Sequence, residues 1–83
     1  MRRTHTYSDP TVLWRLTHPN GGAARVTLIP GHPTSTLVWF VDETLDRAEN
    51  FADWNAAIAR AEETRRLMLE DGWRDAEDLD KSR

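Results

Sequence analysis

The feature that most constrains this chain is a change of period. Three short runs of β-branched and aromatic residues, separated by Pro/Gly turns, are followed by one uninterrupted run of helix formers. Strands repeat every second residue and helices every 3.6, so a sequence that switches once, late, specifies strands first and a single helix last. Such an order cannot build a parallel doubly wound sheet, which needs helices between its strands.

Thr11-Val12-Leu13-Trp14-Arg15-Leu16-Thr17 reads as the first strand, with Val12, Trp14 and Leu16 on one face. His18-Pro19-Asn20-Gly21-Gly22 supplies turn chemistry, and Ala24-Arg25-Val26-Thr27-Leu28-Ile29 is the second strand. Opposing Leu16 with Ala24, Trp14 with Val26 and Val12 with Leu28 brings the large apolar groups together. The prolines of Pro30-Gly31-His32-Pro33 mark a second turn. Thr36-Leu37-Val38-Trp39-Phe40-Val41 is then apolar on both faces, which places it inside the sheet or under a cover. Asp42-Glu43 is a hairpin turn into Thr44–Glu49 if those polar residues form a fourth strand; their pattern leaves that open.

The helix starts at Asn50 or Asp53, both good caps, and runs to Asp71, with Gly72 placed for a left-handed cap and Trp73 free to fold back. On a helical wheel Trp54, Ala57, Ile58, Ala61, Met68 and Leu69 form one apolar stripe. The expected fold is therefore α+β, an antiparallel three- to four-stranded sheet with one long C-terminal amphipathic helix packed on one face. The stripe should lie across Trp14, Val26 and Trp39, which makes Trp14, Trp39 and Trp54 core residues. Residues 1–10 read as a flexible N-terminal arm, residues 11–74 as one β-β-β-(β)-α domain and residues 75–83 as a charged flexible tail.

Composition narrows the chemistry. Eighty-three residues make one domain, and 39% hydrophobic against 30% charged is a globular balance. No cysteine is present, which excludes a disulfide scaffold and thiol catalysis. No apolar run approaches the roughly 18 residues of a membrane helix, and Met1–Tyr7 has no apolar stretch behind its arginines, so the expectation is a cytoplasmic protein with no membrane partner. His5, His18 and His32 lie in separate polar segments without ligand spacing, so no metal site is expected. No nucleophile elbow or phosphate-cradling glycine loop occurs. A sheet this small with one helix rarely encloses the ~300 Å³ a ligand site uses, so neither a cofactor nor catalysis is expected.

Two surfaces remain for partners. The outer sheet face carries Leu13, Arg15, Thr17, Arg25, Thr27, Ile29, Val38 and Phe40, an apolar and arginine mixture that suits a protein partner, a homodimer or the N-terminal arm. Arg15, Arg25 and Phe40 there, with Arg2 and Arg3 as a basic arm, also admit nucleic acid by stacking, against an unfavourable net charge of −3. On the helix, Leu67 points away from the apolar stripe among Glu62, Glu63, Arg66 and Glu70, a second mixed surface, and Arg65 falls inside the stripe. Charge is divided: residues 1–41 hold four arginines against Asp9, while residues 42–83 hold thirteen acids against seven bases. Eight of those acids (Asp42, Glu43, Asp46, Glu49, Glu62, Glu63, Glu70 and Asp71) suit competition with phosphate for a basic groove.

The series Trp14-x-Leu16, Thr36-Leu37-x-Trp39, Phe51-x-Asp53-Trp54-x-x-Ala57-x-x-Arg60-Ala61-Glu62 and Leu69-x-x-Gly72-Trp73 resembles small uncharacterised bacterial proteins of a β-meander-plus-helix type, over residues 12–74. The resemblance implies architecture and carries no catalytic residue. In size, acidic helix and composition the chain is also similar to phage-encoded inhibitors such as anti-CRISPR proteins, which implies a small regulator or inhibitor that works by occupying a partner's surface.

Overall fold

A computed structural model describes residues 9–76, so the expectations for residues 1–8 and 77–83 lie outside the described residues. Strands β1 (Thr11–Thr17), β2 (Ala23–Ile29), β3 (Ser35–Val41) and β4 (Thr44–Phe51) precede helix α1 (Trp54–Glu70) and a two-residue strand β5 (Arg74–Asp75). They form one antiparallel sheet in the order β4-β3-β2-β1-β5. The α+β architecture is the expected one, with two refinements: the fourth strand exists and extends to Phe51, and a fifth closes the other edge. Asp75 consequently belongs to the sheet and not to a tail.

The expected pairs Leu16–Ala24 and Trp14–Val26 are present, and β3 aligns Trp39 with Val26 and Leu37 with Leu28. Val12 departs from expectation. A bulge between Val12 and Trp14 makes Thr11 the partner of Leu28 and sets Val12 opposite Thr27 on the outer face. The extra residue is Leu13, which packs against the core instead of joining the outer face. One inserted residue reverses the facing of everything before it, because side chains alternate with a period of two.

Two alanines in the helix, Ala57 and Ala61, are fully buried over the sheet and let the helix approach two tryptophans. Trp14 Nε1 donates to the Ala61 carbonyl at 2.9 Å, and Trp39 Nε1 donates to Thr64 Oγ1 at 3.1 Å. Both buried indoles thus satisfy their polar end while fixing the helix along its axis. Trp54, expected in the core, is 49% exposed at the start of the helix, whose buried contacts are made by Ala57, Ala61 and Thr64.

Asp53 caps the helix by accepting from the Asn55 amide at 3.0 Å, while Asn50 stays in β4 and accepts from Thr36 Oγ1. At the other end Gly72 takes φ +104°, its amide bonds the Leu69 carbonyl and the Trp73 amide bonds the Met68 carbonyl. This paired closure, a Schellman motif, turns the chain back toward β1. Trp73 then meets His18 edge-on at 5.1 Å, and Arg65 pairs with Asp75, which explains an arginine inside the apolar stripe.

Candidate interaction surface

The helix covers one face of the sheet, and no element among the described residues covers the other. From β4 to β1, Phe40, Arg25 and Arg15 form one row of that outer face and Ala48, Val38, Thr27 and Val12 the next. Val38 is 6% exposed, while Ile29 at 38% and Leu45 at 58% project at the margins. Leu45 joins this face opposite Phe40 because a second irregularity, between Trp39 and Phe40, shifts β4 by one residue. Nothing in the alternation of the sequence predicts that placement.

The charged end of the face is more ordered. Arg15 and Arg25 are directly opposite each other in register. The Arg25 guanidinium lies 4.1 Å from the centre of the Phe40 ring and donates to Glu43 Oε1 at 3.0 Å. Asp42 and Glu43 form the β3–β4 turn with φ of 54° and 67°, the left-handed region that a two-residue hairpin of this twist requires. Asp42 offsets part of the cost, its carboxylate accepting from the Ala23 amide and its own amide donating to the Ala23 carbonyl. Around this corner a cavity of about 120 Å³ is lined by Arg15, Thr17, Arg25, Phe40, Glu43 and Ala76, the last brought there by β5.

The sequence-derived candidates therefore divide into two surfaces. Arg15, Arg25, Val38 and Phe40 share the outer sheet face, whereas Glu62, Glu63, Arg66, Leu67 and Glu70 line the solvent side of the helix across the sheet from them. They do not converge on one site. Leu67 is exposed as expected, at 52%. Glu49 on β4 binds Arg60 through both carboxylate oxygens at 3.1 and 3.3 Å, and Arg60 also reaches Glu63 at 3.0 Å. The Arg60 guanidinium holds the Glu49 carboxyl below the usual carboxylate range, against a smaller opposing effect of desolvation, and Glu49 in turn raises Arg60. Arg47 lies over the Trp39 ring at 4.9 Å and adds a further positive charge beside Glu49.

Among the described residues no group of three or more potential ligands could hold a metal ion, and no helix is long and apolar enough to cross a membrane. Comparison with protein-family models, with curated proteins and with solved structures finds no match to this chain.

Proposed function

We propose that this chain is a small non-enzymatic protein-binding module, a cytoplasmic regulator or inhibitor that acts by laying its outer sheet face on a partner. The observation that carries this reading is the pair of exposed apolar side chains Ile29 and Leu45, with the half-buried Phe40 opposite Leu45, on a face that no described element covers. Exposed apolar groups rimmed by charge are the usual mark of a contact surface. The test is affinity capture from a bacterial lysate with and without nuclease, using the natural chain and a Leu45→Lys/Ile29→Lys variant. A stoichiometric protein that survives nuclease and is lost with the variant supports the reading; capture indifferent to the variant sinks it.

The competing use of the same face is a homodimer, for which light scattering at high concentration is decisive. Nucleic acid is the weaker alternative, because Arg25 covers the Phe40 ring on which a base would stack and is itself paired with Glu43. The narrower proposal, an anti-CRISPR-like inhibitor that mimics phosphate to block a nucleic-acid-handling complex, must rely on Asp46, Glu62, Glu70 and Asp71. The other four acids of that set already bond Ala23, Arg25 or Arg60.

A further inference from the structure

We propose that the Arg15–Arg25 corner of the outer face is an acceptor for one carboxylate side chain of a protein partner, whose apolar neighbours then lie along Phe40 and Val38. The inference rests on the protein-binding reading and adds the chemistry the partner must present.

Three observations lead to it. Like charges directly opposite on a sheet face destabilise the pair, yet Arg15 and Arg25 are in register; with the Asp42 carboxylate held by the Ala23 amide, the carboxylate left to face them among the described residues is that of Glu43. That carboxylate is a weak incumbent: its side chain is 81% exposed, and ion pairs so exposed contribute little. Finally, the cavity of about 120 Å³ beside the two arginines admits a carboxylate head and is too small for the ligands of ordinary substrate pockets.

The surroundings select among anions. From the corner toward β3 the face continues as Val38, Thr27 and Ile29, while on the other side Arg74, opposite Thr17 on β5, adds a further guanidinium, so apolar surface lies in one direction only. A single acidic residue followed by apolar ones matches both parts. Guanidinium to carboxylate is the strong, directional pairing suited to that role.

The probe is the capped tripeptide Leu-Glu-Leu, with Leu-Gln-Leu and a short oligothymidylate as comparisons, titrated into the full isotope-labelled chain and followed by NMR. The glutamate peptide should shift the amides of residues 15–17, 23–25 and 40, and should bind about tenfold more tightly than the glutamine peptide, the worth of one charge-assisted contact. Arg15→Gln alone, which leaves the Arg25–Phe40 contact in place, should remove most of that difference while the spectrum stays dispersed. Equal binding of the two peptides overturns the proposal; if the shifts persist at Val38 and Leu45, the general protein-binding reading survives it. Stronger corner shifts with oligothymidylate overturn it in favour of nucleic acid. A glutamate peptide that shifts the corner only in a Glu77→Gln/Asp78→Asn/Asp80→Asn variant overturns it too, making the chain's own acidic residues after Ala76 the occupant.

Discussion

Thr64 sits in the helix where a wheel drawn from sequence places it at the margin of the apolar stripe, and its hydroxyl decides the joint between the two layers. Oγ1 accepts from Trp39 Nε1 and donates to the Ala61 carbonyl at 2.9 Å, the same carbonyl that receives Trp14. Replacing Thr64 with Val keeps the shape and strands the buried indole N–H, a loss of about 1–3 kcal/mol. Urea unfolding should show that loss, and Thr64→Ser should recover much of it; a Thr64→Val chain as stable as the natural one would mean that Trp39 finds another acceptor. Gly72 offers a second check of the same kind. At φ +104° an alanine is strained whatever room it has, so Gly72→Ala should lower stability by about 1 kcal/mol and shift Tm downward by several degrees. The glycine and its neighbour Trp73 were legible from sequence as a helix end, because cap chemistry is local. Trp54 was not, because its exposure depends on how the helix is set on the sheet, with Ala57, Ala61 and Thr64 as its buried residues, which no local pattern encodes.

Between elements, β4 meets the helix side of the molecule through charge as well as through Phe51, which packs against the core: Glu49 bridges from the sheet to Arg60, and Arg60 to Glu63. A carboxyl held below its ordinary range binds protons less readily folded than unfolded. Its contribution is therefore complete above the unfolded carboxylate pKa and disappears as pH falls through the lower folded value. Stability should decline from about pH 5 downward, and Glu49→Gln should flatten that acid limb while costing only about 0.5–1 kcal/mol at neutral pH, as for other partly exposed pairs. Parallel acid limbs for the two chains would show that the bridge contributes nothing. This polar seam also explains why β4 was hard to read. Two of its inward positions are Arg47 and Glu49 where alternation leads one to expect apolar groups, only Phe51 at its end being apolar, and its irregular residue disrupts the period. β5 left no signal of its own, because two residues, Arg74 and Asp75, are placed by the Gly72 turn and the Arg65–Asp75 pair. β2, with its alternation, and β3, apolar on both faces as a strand inside the sheet should be, were legible from sequence.

At the scale of the whole molecule the sheet has one face under the helix and one that the proposed function makes a contact surface, and the two should respond oppositely to substitution. Leu16, Val26, Leu28 and Leu37 are at most 1% exposed under the helix, and Trp39 joins them at 5%. Trp39→Ala should cost about 3–5 kcal/mol by the lost contacts and the cavity. A domain of this size holds a total of only about 5 kcal/mol, so little folded protein should remain. Leu45→Lys and Ile29→Lys remove apolar groups that water already reaches, and each should stay within about 0.5 kcal/mol of the natural chain in urea unfolding. The same pair of substitutions is expected to abolish partner capture. Loss of binding without loss of stability is the signature that separates a contact surface from a core merely left open. Should the two lysine variants unfold instead, the outer face is covered in the native chain, and the module must bind through the helix side at Leu67 and its charged neighbours.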